Sequence, residues 1–310
     1  MRITARLKEL LKRLIPKSHR YRIRRALAKI LTAKSRREFE RASKSPEWLG
    51  PDDLECLQSK YPPRTGFIPL QDQLKVETTA TAKQKAAAQA TAELIASLPN
   101  SNASTFLELG CRHALVSHAL LQYGKSVCGI DLTTEFVDEQ IIRDGVEIRK
   151  MDASRLEFED ESFDVVFSFN SFEHFSDPES VLREATRVTK TNGFVFLQFA
   201  PLYMSPFGLH AINEIGVPYC QLLFPRDLLS SLVVGDTFWN LNGWSAQDFR
   251  RLWAKVGKRL KVIKYYEGWD PFHAQLIARY PSCFRSKTDC FDDLIVDKME
   301  ILFQKIPERV

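Results

Sequence analysis

The sequence has no apolar run near the roughly 18 residues that a membrane-crossing helix requires, so no transmembrane span is expected. A secretory leader is not expected either, because the first apolar stretch, Leu10 to Ile15, is short and broken by Lys12 and Arg13. The six cysteines (Cys56, Cys111, Cys128, Cys220, Cys283 and Cys290) form no CxxC pair, and the six histidines show no ligand spacing. A reduced, cytoplasmic chain without disulfides and without a metal site is the expectation. Internal repeats and low-complexity tracts are absent as well.

What is present is a 310-residue chain, 44% hydrophobic and 27% charged, with a net charge of +5 that is unevenly placed. Residues 1–40 hold fourteen Lys and Arg against three Glu, a local +11, which leaves a mildly acidic body at −6. Residues 1–42 read as a basic amphipathic arm of two short helices broken near Pro16. Leu7, Leu10, Leu11 and Leu14, then Ile23, Leu27, Ile30 and Leu31, recur at helical spacing among the basic residues. Such a stripe predicts peripheral attachment to an anionic membrane surface. Packing of the same leucines on the rest of the protein is the alternative. Residues 43–100 read as a proline-rich connector to about 78 and a leading helix over 80–98, rich in Ala, Lys and Gln and stopped by Pro99.

From Thr105 onward, apolar runs suited to buried parallel strands alternate with helix signals. The strands are expected at 105–109, 126–131, 146–150, 163–169 and 194–200, and the helices at 114–123, 134–143 and 177–188, the last opened by Asp177 and Pro178. A capping box at Ser245 to Asp248 opens a helix carrying Phe249, Leu252 and Trp253. Segments 259–266 and 272–280 are expected as an antiparallel edge pair, and 283–310 as a C-terminal helix.

Ligands of open α/β sheets bind at the carboxyl ends of the strands. The first strand ends in Glu108-Leu109-Gly110-Cys111, where a glycine lets backbone approach a ligand closely. The second ends at Asp131, twenty-one positions after Gly110, a carboxylate placed for the two hydroxyls of a ribose. The third ends at Asp152-Ala153, a second acid suited to an adenine amino group, and the fourth runs into Asn170-Ser171-Phe172-Glu173-His174. These residues resemble the Rossmann-like (class I) methyltransferases that use S-adenosylmethionine (SAM), in particular the type 11 small-molecule group, over about residues 104–200.

The resemblance implies a doubly wound, seven-stranded α/β sheet over 101–282, with the basic arm before it and a lid insertion, 202–244, after strand 5. It also implies SAM as cofactor. Glu108 and Gly110 would face the methionine part of SAM, Asp131 the ribose, and Asp152 with Ala153 the adenine; Cys111, Leu132 and Asn170 complete the expected cofactor set. Glu173-His174 matches a Glu-His pair common in the group. The family loop reads E-x-G-x-G-x-G, whereas Arg112 and Ala114 stand here in place of the second and third glycines. A nicotinamide-binding domain fits less well, since it needs three glycines to seat a pyrophosphate.

The insertion carries seven aromatics (Tyr203, Phe207, Tyr219, Phe224, Phe238, Trp239 and Trp244) with His210 and Glu214, a composition suited to an aromatic wall around a sugar or other amphipathic acceptor. O-methylation of a small-molecule or glycan-type acceptor, in surface-polysaccharide or lipid-linked glycan synthesis, is the expected activity. A hydroxyl acceptor needs a general base, with His210 the first candidate, then His174 and Glu214. Two other readings stand beside it: a scaffold whose altered loop no longer binds SAM, and an RNA methyltransferase. The acidic body and the Asn170-Ser-Phe-Glu sequence after strand 4 weigh against a nucleic-acid partner.

Overall fold

The computed structural model describes residues 17–64, 81–99, 102–233, 241–256 and 259–307, with residues 17–20 by backbone alone. Leu7, Leu10, Leu11, Leu14, Phe238 and Trp239 lie outside the described residues. Five parallel strands run in the order β3 (Glu147–Lys150), β2 (Ser126–Asp131), β1 (Thr105–Leu109), β4 (Phe163–Phe169), β5 (Thr189–Phe199). β7 (Val296–Lys305) then pairs antiparallel with β5, and β6 (Leu260–Trp269) closes the edge antiparallel to β7. This is the seven-stranded, doubly wound α/β sheet expected from the sequence.

Alternation along each strand builds two cores. Phe106, Val127, Phe167 and Phe196 face α4 (Ala82–Ala96) and α5 (Leu115–Leu121), whereas Leu107, Leu109, Val166 and Val195 face α7 (Pro178–Val188) and α10 (Ala246–Lys255). Two local signals hold, since Asp177 caps α7 through the Ser180 amide with Pro178 behind it, and Ser245 and Asp248 form the box that opens α10; Thr81 and Gln84 add a further capping box on α4. Between β2 and β3 the helix is shorter than the predicted 134–143, covering only Glu139–Arg143 (α6).

Two C-terminal expectations are corrected. Segment 272–280 is not an edge strand: its strong helix formers, Gln275, Leu276 and Ala278, lie in α11 (Gln275–Arg279). The described residues 283–307 are not one helix but the end of α12 (Pro281–Arg285), a 3-10 turn and then β7, so the sheet extends beyond residue 282. β7 sits between two other strands and buries Met299 to Phe303 without interruption, which removes the two-residue period that marks a strand in sequence.

Much of the described insertion after β5 packs as core. Leu209, Ile215, Tyr219, Leu223 and Phe224 are fully buried in a third core, together with Phe39 and Leu57 from the N-terminal helices and Ile277, Phe284 and Ile295 from the segment before β7. The short helices α8 (Cys220–Leu223) and α9 (Arg226–Ser230) belong to it, and the Tyr219 hydroxyl donates to the Leu294 carbonyl at 2.9 Å. Tyr219 and Phe224 therefore hold the fold rather than an acceptor. The arm contributes α1 (Lys17–Leu31) and α2 (Ala33–Arg41), and the connector contains α3 (Pro51–Lys60). Ala28, Thr32, Ser35 and Phe39 make the buried face of α1 and α2, with the Phe39 ring edge-on to Phe291 at 5.7 Å. Ile30 and Leu31 remain 71% and 58% exposed.

Candidate active site

The chain turns from β1 into α5 through three residues with positive φ: Gly110 (73°), Arg112 (42°) and Ala114 (51°). The loop thus keeps a backbone shape that favours glycine although only one of the three is glycine. At Gly110 the requirement is also steric, since an added Cβ would lie 2.6 Å from Ser171 Cβ. The amides of Gly110 and Cys111 both donate to the Ile130 carbonyl, at 2.9 and 3.0 Å, which ties the loop to the end of β2.

Asp131 ends β2. Its carboxylate accepts from the Arg112 amide at 2.8 Å and from the Thr133 amide at 3.3 Å. Asp152 accepts from the Ser154 amide at 2.8 Å. Both acids therefore make the turn contacts that Asp commonly makes, and both also line a cavity of about 650 Å³ at the carboxyl ends of the strands. Gly110, Leu132, Ala153 and Asn170 share that wall, as do Arg112, Phe136, Ser171, His174, Phe175 and Asn242.

Glu108 and Cys111, expected beside the cofactor, are not among the lining residues. β1 turns Glu108 toward α5, where its Oε2 accepts from the Ser117 amide at 3.0 Å and the Ser117 hydroxyl at 2.5 Å. Burial pushes its carboxyl up to about 7 against those two bonds. Cys111 packs with Ala114, Ile141 and Val146, and burial pushes its thiol far up, as befits a core residue.

Beyond Asn170, itself at positive φ, residues Phe172–His174 form one short 3-10 turn. His174 lines the cavity, and the His210 ring stands perpendicular to it with centroids 5.1 Å apart. His210 also has positive φ (63°), and burial together with His174 holds its imidazole down at about 4. Glu173 is 2% exposed. Burial pushes its carboxyl up to about 8; the amides of Glu173 and Ala200 face it and offset part of that effect, yet neither oxygen makes a well-formed hydrogen bond among the described residues. Glu214 belongs neither to the cavity wall nor to this group.

Sequence reading missed Phe136, Phe175 and Asn242. Asn242 comes from the end of the insertion; its amide donates to the Glu173 carbonyl at 3.0 Å and its Nδ2 to the Phe172 carbonyl at 3.1 Å. A short Asn-Gly between aromatics was the only available signal for it.

Residues 107–197 match the family model described as a methyltransferase domain. The ubiquinone biosynthesis O-methyltransferase of Nitrosomonas europaea is 33% identical over 129 residues, covering 39% of this chain and 53% of that protein. Its namesake from Pseudomonas fluorescens strain SBW25 is 36% identical over 127 residues with the same coverage. The chain thus spans about half the length of these curated relatives. In fold it is similar to the PH0226 protein from Pyrococcus horikoshii, with a TM-score of 0.52 and 19% identity over 77% of this chain and 99% of that one. Residues 107–197 thus match a methyltransferase-domain model and lie in a sheet of Rossmann-like topology.

Proposed function

We propose that the protein is an O-methyltransferase that uses SAM to methylate a hydroxyl of a small-molecule acceptor. One observation carries the reading: Gly110, Asp131, Leu132, Asp152, Ala153 and Asn170, which come from the ends of four different strands, share one cavity wall. The residues present fit the cofactor. Gly110 leaves a space that a Cβ would fill, Asp131 offers a carboxylate to ribose hydroxyls, and exposed Leu132 (68%) gives an apolar edge beside Asp152 for the adenine. When bound, SAM supplies an electrophilic methyl group on a sulfonium. The protein's part is alignment of the acceptor and removal of its proton.

His174 and His210 promote that proton loss in this reading. Their rings meet edge to face with centroids 5.1 Å apart, His174 lines the cavity, and burial keeps His210 neutral at pH 7. Glu214 is set aside because it is not part of this arrangement. The relatives' names weigh toward a ring hydroxyl as acceptor. The glycan acceptor expected from the sequence rested on an aromatic wall, and Tyr219 and Phe224 of that wall are core residues.

The basic arm supports peripheral attachment to an anionic membrane surface. Ile30 and Leu31 project beside exposed Lys29, Lys34 and Arg37, and no described helix is long and apolar enough to cross a membrane.

The deciding experiment is calorimetry of the full chain with S-adenosylhomocysteine, followed by methyl transfer from labelled SAM to a panel of phenols, catechols and glycans. Micromolar binding and label in a hydroxyl acceptor are expected. Absence of binding at high micromolar ligand would return the chain to the scaffold reading.

A further inference from the structure

The histidines of this sequence show no metal spacing, but the fold creates a grouping that spacing cannot show. Glu173 and His174 follow β4, His210 comes from the segment after β5, and the ligand atoms of all three lie within 4.8 Å of one another. Three independent features mark the cluster. Both oxygens of Glu173 are buried without a hydrogen-bond partner among the described residues, a costly state for a carboxyl group. The two imidazole rings stand at 88° to each other, so neither covers the other's nitrogens by stacking. His210 is held at a φ of 63°, a left-handed backbone state that non-glycine residues adopt uncommonly.

We infer that Glu173, His174 and His210 form a binding site for a divalent transition cation, with an open position toward the cavity. Two imidazoles and one carboxylate are the donor set of open catalytic zinc sites, and of other sites that take iron or manganese. The cation would engage the Glu173 oxygens that the protein leaves unsatisfied. Bonds of about 2.0–2.1 Å around a tetrahedral ion place ligand atoms about 3.3 Å apart, so small side-chain rotations from the present separations complete the shell. His174 lines the cavity that would hold SAM, which puts the open position on the acceptor's side.

The catalytic consequence rests on the O-methyltransferase reading, whereas cation binding does not. An acceptor hydroxyl coordinated at the open position loses its proton more readily, because the cation stabilises the alkoxide or phenoxide that forms. The histidine pair would then promote proton loss as ligands rather than as bases. The charge balances: the acceptor O–H proton leaves to solvent, the oxygen attacks the methyl carbon, and the carbon–sulfur bond breaks to give neutral S-adenosylhomocysteine.

The test is calorimetric titration of the EDTA-treated full chain with ZnCl2, without SAM. One Zn2+ per chain is expected, with affinity falling tenfold or more in both His210→Ala and Glu173→Gln. Co2+ in place of Zn2+ should give visible absorption bands that disappear in His210→Ala, a readout that stands even if Glu173→Gln fails to fold. Unchanged Zn2+ affinity in a folded His210→Ala protein, or a wild type that binds no Zn2+ at about 100 μM, would overturn the site. S-adenosylhomocysteine binding to the metal-free protein is measured alongside. Loss of zinc with retained S-adenosylhomocysteine sinks the metal site alone, and the reverse sinks the methyltransferase reading alone.

Discussion

The backbone amide of Arg112 donates to Oδ2 of Asp131 at 2.8 Å, so the loop after β1 and the acid after β2 hold each other in place. That bond joins the residue that departs from the family's glycine pattern to the acid expected to bind ribose. It exists because Arg112 takes a left-handed backbone conformation.

Asp131→Ala therefore removes two things at once, the proposed ribose acceptor and an anchor for the loop. Asp131→Asn keeps a carbonyl oxygen for the Arg112 amide and separates the two roles. Asp131→Asn should weaken S-adenosylhomocysteine binding by about 1.5–3 kcal/mol, roughly ten- to a hundredfold, with little change in melting temperature. Asp131→Ala should lose both affinity and some stability. Calorimetry and thermal melting check this; an Asn variant with wild-type affinity would remove Asp131 from the ribose site.

Positive φ at Arg112 predicts an order of stability among substitutions. Arg112→Gly relieves about 1–2 kcal/mol of left-handed strain but gives up the guanidinium contact with the Phe136 ring at 5.3 Å, worth about 0.5–1 kcal/mol. It should match or slightly exceed wild type in chemical denaturation, while the β-branched Arg112→Val should fall clearly below it. Equal stability of all three would show that the strain is not there.

At Gly110 strain and collision combine. Gly110→Ala meets both a φ of 73° and Ser171 Cβ at 2.6 Å, and should destabilise the protein by about 1–3 kcal/mol or more. Adding Ser171→Gly should restore part of the loss, and adding Ser171→Ala almost none, because Cβ remains. Rescue by Ser171→Ala as complete as that by Ser171→Gly would contradict the geometry.

Asp164 carries a pH dependence. Burial opposes its ionisation, but the amides of Ser104 and Thr105, the Lys190 ammonium at 3.0 Å and the Thr105 hydroxyl outweigh that and hold its carboxyl well below the usual range. A depressed folded-state pKa stabilises the protein above the ordinary carboxylate pKa of about 4, and the benefit disappears as pH falls toward the folded value. Asp164→Asn should be less stable at pH 7 and show a flatter loss of stability between about pH 5 and 2. Parallel denaturation curves for mutant and wild type over that window would refute the assignment.

The arm offers a cleaner test than truncation, because removing residues 1–40 also removes Phe39, and emptying that fully buried site costs about 3–5 kcal/mol. The double variant Ile30→Ser with Leu31→Ser changes only exposed side chains. It should leave melting unchanged and reduce flotation with anionic liposomes. Full flotation of this variant would move any membrane contact away from the end of α1.

The sequence by itself determined the five parallel strands, their ends and part of the cavity wall. Parallel strands buried on both faces leave continuous apolar runs, and ligand-facing acids stand where those runs stop, as at Asp131 and Asp152. Capping residues such as Asp177 and Ser245 likewise act within a few positions of themselves. Tertiary structure alone decided the rest. Glu108 turned away from the cavity because strand alternation aimed it at Ser117. β7 shows no two-residue period because Met299 to Phe303 are all buried inside the sheet, and much of the described insertion became core because Phe39 and Phe284 cover it from distant parts of the chain. The meeting of His174 with His210 depends on how the segment after β5 packs against the turn after β4. Contacts between segments remote in sequence leave no period and no spacing, so only the folded chain brings them together.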